Sequence, residues 1–262
     1  LWRPVSPCGV GCLPRGGPAL VGVAATRLIA LVGVVAFGFV LLPLLALRRP
    51  GVRAFVARLW ARGVLAAIGV RVRLRGRLPR GPALLVANHI SWLDIVALLA
   101  VVPHAMPLAK REIRDWPVIG VLARAGGTLF VDRERPRSLP GAVAEVAGAL
   151  RGGAVVAGFP EGTTWCGSAG GRFRPALLQA ALDAGAPVVP VAIGYAAGGA
   201  PTAAAAFVGG DMLWASVCRV LRVRDLTVWL DATAALHPEP DADRRALARI
   251  AESAVRAAAP SP

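Results

Sequence analysis

Lysine is almost missing from this 262-residue chain: Lys110 is the only one, although lysine and arginine together number 30. Arginine therefore carries nearly all the positive charge. The single ammonium, in Leu108-Ala109-Lys110-Arg111-Glu112, marks either a place where a compact point charge is preferred to a guanidinium or an accident of composition. Cysteine is scarce too. Cys8, Cys12, Cys166 and Cys218 form no zinc-like pair of pairs and no dense disulfide frame, so reduced thiols are the default and a small disulfide-stapled scaffold is excluded. Cys166 has no histidine or lysine beside it in sequence to activate it as a nucleophile. No G-x-S-x-G elbow occurs, which argues against a serine esterase. Histidine is limited to His89, His104 and His237, and both His104 and His237 lie beside a proline in what reads as a connection.

Acidic residues are few as well. The formal charge is +15 and 56% of the residues are hydrophobic, a combination that points to a lipid-facing part and an anionic partner. Nucleic acid is the competing partner. Against it, the aromatics do not interleave with the basic residues and no nucleic-acid motif of defined spacing is present.

Charge is absent altogether from Leu28 to Leu47, a stretch that as one helix would be about 30 Å long, the thickness of a bilayer core. A signal peptide is the alternative, but the run is long for one and Arg48-Arg49-Pro50 stands where a small-residue cleavage site would be. Pro43 and two glycines leave open a bent or re-entrant helix pair in place of a clean span. Arg48, Arg49, Arg53, Arg58 and Arg62 follow the run more densely than Arg3, Arg15 and Arg27 precede it, which places the rest of the chain on the cytoplasmic face of the cell membrane. Val52 to Gly69 reads as a second helix whose Phe55, Leu59 and Trp60 suit it to lie along anionic headgroups, or as an ordinary solvated face. The organisation expected is a membrane-anchoring helical segment over residues 1–69 and one catalytic domain over residues 70–262.

After Gly69 strands and helices alternate. Val70, Val72 and Leu74 alternate with arginines, and further strands are expected at 83–87, 105–109, 128–131, 154–159, 188–193 and 226–230. Helices are expected near 92–99, 118–125, 139–150, 174–184 and 243–258, with a Gly/Ala-rich loop over 196–210. That order argues an α/β layered domain.

Four segments carry chemistry. Ala87-Asn88-His89-Ile90-Ser91-Trp92-Leu93-Asp94 puts a histidine and an aspartate where a strand ends, a candidate base with the carboxylate that fixes its other nitrogen. The two residues cannot share the face of a straight helix, so His89 must precede one that Ser91 caps. Ser91-x-x-Asp94 is equally close to a capping box, with Asp94 a first-turn carboxylate. Gly127 to Arg133 ends an apolar strand in an arginine whose fork suits phosphate, or in a strand-end ion pair. Phe159-Pro160-Glu161-Gly162-Thr163 follows another strand, with a glycine that lets backbone approach a ligand or simply closes a turn. Val188-Val189-Pro190-Val191 is a proline-punctuated strand.

Taken in order, these segments resemble the glycerolipid acyltransferase family typified by bacterial 1-acyl-sn-glycerol-3-phosphate acyltransferases. His89 and Asp94 fit its H-x-x-x-x-D block, Gly127, Phe130 and Arg133 its G-x-x-F-x-x-R block, Phe159 to Thr163 its F-P-E-G-T block, and Val188 to Val191 its V-P-V block. Lys110 stands where the family commonly has a lysine at a strand end, while Thr164-Trp165-Cys166-Gly167 departs from the arginine-serine often found there. The resemblance implies a layered mixed sheet flanked by helices, and transfer of a fatty acyl group from acyl-CoA or acyl carrier protein to the free hydroxyl of a lysophospholipid, 1-acyl-sn-glycerol-3-phosphate giving phosphatidic acid. The alternatives are another lysolipid acceptor, or a non-catalytic membrane protein whose arginines recognise anionic lipid and whose histidine is structural. The resemblance makes His89 the base and Asp94 its orienter. Arg133, with Lys110, would grip the acceptor phosphate, Glu161 would meet a glycerol hydroxyl or orient a cation, Thr163 would offer substrate a polar group, and N–H groups near Gly162 would receive oxyanion charge. The chemistry so implied needs no metal or other cofactor.

Overall fold

The computed structural model describes residues 5–14, 21–46, 49–132, 135–239 and 241–258. Its helices are α1 (Val21–Val40), α2 (Leu42–Ala46), α3 (Pro50–Ala67), α4 (Leu93–Val101), α5 (Ile119–Ala125), α6 (Leu139–Arg151), α7 (Ala176–Ala184), α8 (Leu213–Arg222) and α9 (Arg244–Ala258). The strands are β1 (Val70–Gly76), β2 (Ala83–Ala87), β3 (Ala105–Lys110), β4 (Leu129–Val131), β5 (Val155–Gly158), β6 (Val188–Ala197), β7 (Ala200–Pro201) and β8 (Leu226–Ala232).

Strands β2 and β5 are buried at every residue, as Ala-Leu-Leu-Val-Ala and Val-Val-Ala-Gly require of strands covered on both faces. They lie mid-sheet in the order β1-β8-β6-β2-β5-β3-β4, with β7 paired to β6. All neighbours in that order run parallel except β6 and β8, which makes the sheet mixed. Successive side chains point to opposite faces. Leu85, Val191 and Ile193 therefore pack with Ala61, Leu65, Leu93 and Leu221 of α3, α4 and α8. Leu84, Val86 and Val156 pack with Val146, Leu178 and Val255 of α6, α7 and α9. Helices cover both faces of one sheet. The β1 edge is more exposed than a half-buried strand, and Arg73 and Arg75 shield it by lying 5.3 and 4.8 Å from the Trp229 ring centroid.

Of the two readings of the apolar N-terminal run, one helix over Leu28–Leu47 or a bent helix pair, the described residues form a broken pair, with the first helix beginning before the run. Helix α1 starts seven residues earlier and ends at Val40; the chain turns at Leu41 and resumes as α2. Pro43 is the physical reason, since it lacks an N–H and its ring crowds the carbonyl four residues back. Starting earlier brings Arg27 inside α1. Its guanidinium donates to the carbonyls of Leu221 and Val223 at 2.9 and 2.7 Å, where α8 ends and carbonyls lack helical partners. Within α1, Gly22–Val40 is long and apolar enough to cross a membrane, and Ile29, Val32, Phe37, Phe39 and Val40 are exposed on it. Helix α3 lies against α1 so closely that a Cβ at Gly38 would sit 2.7 Å from Trp60 Nε1.

Helix α8 is an element the sequence reading did not announce. Arg219 locks it to the preceding loop, donating to the carbonyls of Ala204 and Ala206 and to Asp211. The segment expected as a plain loop is thus partly packed, with Ala204, Ala205, Ala206 and Val208 buried.

Candidate active site

Parallel strands share a direction, so β2, β5, β3 and β4 all finish on one edge of the sheet, the edge where ligands bind in open α/β folds. His89 leaves that edge two residues after β2, and Phe159 to Gly162 leave it directly after β5.

Asn88 sets the turn. Its side chain donates to the Ile193 carbonyl at 2.9 Å and accepts the Ile193 N–H at 2.7 Å, reaching across to β6. The His89 ring then lies against Phe159, stacked with centroids 3.9 Å apart and planes 14° apart. His89 Nδ1 is 2.8 Å from Asp94 Oδ2, and the histidine side chain keeps 14% of its surface accessible while Asp94 keeps none. A fully buried carboxylate survives only when its oxygens are well supplied with donors. Asp94 Oδ2 accepts the N–H groups of Ile90 and Ser91 at 2.7 and 2.9 Å, and Oδ1 accepts the Tyr195 hydroxyl at 2.5 Å. Ser91 Oγ accepts the Leu93 N–H at 3.2 Å. The capping and orienting readings of Asp94 are therefore one arrangement: the carboxylate that closes the first turn of α4 also holds the imidazole. With Nδ1 facing Asp94, the proton belongs on Nδ1 and the lone pair on Nε2.

Glu161 takes a different task from the one expected. It is 5% exposed, and its two oxygens accept the His89 N–H at 2.6 Å and the Gly171 N–H at 2.7 Å. Burial pushes its carboxyl up to about 7, the Asp94 charge adds to the rise, and the two N–H bonds oppose it. Committed to the chain's own backbone, it braces the histidine turn from beneath. Among the N–H groups near Gly162, that of Gly162 itself donates to the Phe159 carbonyl at 3.0 Å and closes the turn. Its φ of +77° explains why glycine stands there.

Thr163 is half-buried next to this turn. Thr164 Oγ1 bonds the Phe207 carbonyl. The Trp165 N–H donates to the His89 carbonyl at 2.7 Å, and the Phe207 N–H to the Ile90 carbonyl at 2.9 Å. Lys110 ends β3 in register with Val131, and its Nζ is 3.1 Å from Glu112 Oε1 at a half-exposed position. Arg133 lies outside the described residues. A small apolar cavity of about 90 Å³, lined by Leu108, Val131, Val143, Phe159 and Leu177 among others, sits behind Phe159. A wider cleft of about 920 Å³, bordered by Trp165, Arg172, Arg174 and Arg244, reaches Glu161.

Tyr195 and Asn88 are the contributors that sequence reasoning missed. Tyr195 is the chain's single tyrosine, which was the one available signal. Tyr195→Phe removes one donor from a buried carboxylate and should lower the unfolding free energy by about 1.5–3 kcal/mol, read as a downward shift of the urea midpoint. An unchanged midpoint would mean that this hydroxyl is not a net support of Asp94.

A family model described as Acyltransferase matches residues 69–194. The lyso-ornithine lipid O-acyltransferase of Pseudomonas aeruginosa is 40% identical over 237 residues, covering 87% of this chain and 90% of that protein. The 1-acyl-sn-glycerol-3-phosphate acyltransferase of Neisseria meningitidis is 36% identical over 202 residues, covering 75% and 77%. The crystal structure of PlsC, the 1-acyl-sn-glycerophosphate (LPA) acyltransferase of Thermotoga maritima, has the same fold, with a TM-score of 0.69 at 21% identity over 91% of this chain and 95% of that one.

Proposed function

The chain belongs to the acyltransferase family of glycerolipid enzymes, and from that premise we propose that it moves a fatty acyl group from a coenzyme A or acyl carrier protein thioester to the free hydroxyl of a membrane lysolipid. The observation that carries this reading is the His89–Asp94 pair, 2.8 Å apart at the carboxyl edge of the sheet. His89 Nε2 takes the proton of the acceptor hydroxyl as its oxygen attacks the thioester carbonyl. Collapse of the tetrahedral intermediate breaks the C–S bond, and the proton passes from the imidazolium to the departing sulfur. Asp94 holds the productive tautomer and offsets the imidazolium charge. Glu161, Asn88 and Trp165 keep the turn that carries His89 in place.

The acyl chains of acceptor and donor are both apolar and the acceptor resides in the bilayer, which suits attachment through residues 1–69. The exposed face of α1, with Phe55 and Leu59 of α3, supports that attachment, and the arginines after α1 support a cytoplasmic catalytic face for residues 70–262. Lysophosphatidic acid, giving phosphatidic acid, is the acceptor that the motif blocks favour, with Arg133 and Lys110 at its phosphate. A second reading, a lyso-ornithine lipid, is favoured by the 40% identity to a relative of that name, and its amino-acid headgroup would need no phosphate clamp.

Membranes carrying the protein, supplied with labelled acyl-CoA or acyl carrier protein and a panel of lysolipids, should yield one new diacyl product by mass spectrometry. If no lysolipid is acylated from either donor, the proposal fails. Arg133→Ala distinguishes the acceptors. If Arg133 grips phosphate, the KM for lysophosphatidic acid should rise about 10- to 150-fold, with the KM for the thioester little changed. Equal losses on a phosphate-free acceptor would make Arg133 structural.

A further inference from the structure

Three thiols converge beside this site, two from the N-terminal segment and one from the loop after the Phe159–Thr163 turn. The sulfur atoms of Cys8, Cys12 and Cys166 all lie within 4.8 Å of one another, Cys8 and Cys166 buried and Cys12 exposed. The sequence alone shows only a C-x-x-x-C pair with no second pair. Folding supplies the third ligand. A short turn over Val10–Cys12, closed by the Cys12 N–H on the Gly9 carbonyl at 3.0 Å, brings Cys12 back over Cys8. The segment is seated against the body of the protein: Cys8 belongs to the core, Leu13 packs on it, and Gly9 approaches Gly209 closely. On the other side Cys166 Sγ lies 3.1 Å from Ser168 Oγ, with the backbone N–H groups of Ser168 and Ala169 also directed at it.

We propose that Cys8, Cys12 and Cys166 bind one zinc ion through three thiolates, with the fourth position open to water on the exposed Cys12 side. Tetrahedral zinc with Zn–S bonds of about 2.3 Å places its sulfurs about 3.8 Å apart, so the three thiols need to close by no more than about 1 Å. A disulfide would engage two of them and leave the third beside it unused, whereas a thiophilic cation engages all three. The ion would act as a clamp. Cys166 follows Trp165, whose N–H holds the His89 carbonyl, so the metal would tie the N-terminal segment to the loop that supports the histidine turn.

The test uses the full chain, purified in detergent under reducing conditions, exposed to zinc and then dialysed against metal-free buffer. Elemental analysis should find about one zinc per chain. Retention should be lost in Cys8→Ser, Cys12→Ser and Cys166→Ser and kept in Cys218→Ser. Cobalt in place of zinc should give thiolate-to-metal absorption in the near ultraviolet, absent from Cys12→Ser, whose exposed position makes it the variant that folds most readily. A wild-type chain that retains no zinc overturns the proposal, as does undiminished zinc in the three serine variants. A Cys8–Cys166 disulfide in unreduced protein that resists reduction, with no metal bound, overturns it as well.

Discussion

His89→Ala should slow acyl transfer by about 10²- to 10⁴-fold while the protein remains folded, because it removes the group that takes the acceptor's proton and little else. The buried Asp94 keeps the Ile90 and Ser91 N–H groups and the Tyr195 hydroxyl as donors after the imidazole is gone. Glu161 bonds the backbone N–H of residue 89, which alanine also has. Far-UV circular dichroism and the urea midpoint should therefore stay near those of the wild type, and acceptor KM should change less than kcat. A folded His89→Ala enzyme with near-normal turnover would remove His89 from the chemistry.

Asp94→Asn should cost about 10²- to 10⁴-fold in kcat, and this substitution separates the two tasks that the carboxylate performs. The amide oxygen can occupy the place of Oδ2, still accepting the Ile90 and Ser91 N–H groups and facing His89 Nδ1. The amide NH₂ then faces Tyr195, whose hydroxyl can turn to accept. Asparagine can keep those two N–H bonds in the first turn of α4, though not the charge that favours a helix N-terminus. What is lost is the negative charge that favours the imidazolium formed in the transition state. If capping were the whole of its role, the variant would keep most of its activity, and initial-rate measurements with the preferred acceptor decide the matter.

The buried strands were legible because Leu84-Leu85-Val86 and Val155-Val156-Ala157 are short apolar runs that each follow a turn signal, Gly81-Pro82 and Gly152-Gly153, and are too short for helices. The His89–Asp94 pair was legible because it is local, five residues along the chain. Tyr195 and Asn88 were not, since their partners stand 101 and 105 residues away and no periodicity encodes how β6 meets α4 and the turn before it. Glu161 was visible as a carboxylate in a turn, but that both its oxygens meet backbone N–H groups depends on where Gly171 returns. The N-terminal helix was misplaced for a related reason. Counting uncharged residues begins after Arg27, whereas in the fold that arginine finds two carbonyls nearly two hundred positions on and the helix runs through it. Helix α8 was missed because its strongest fastening, Arg219 to the Ala204 and Ala206 carbonyls, is tertiary.

Phe159 lies parallel to His89 at 3.9 Å, and a ring held face to face in this way cannot twist about its Cβ–Cγ bond without driving an edge into its neighbour. The stack thus restricts the imidazole in the folded protein, so that a base at this position, as proposed, would be aimed before any substrate arrives. The aromatic face is also electron-rich. It attracts a cation more strongly than a neutral ring, so under the proposed mechanism the stack would tighten when His89 takes the acceptor's proton and loosen when that proton passes to the thiol. Phe159 is in this sense a polarisable wall whose grip follows the proton, a contribution that leucine in its place would fill by volume and not by charge response.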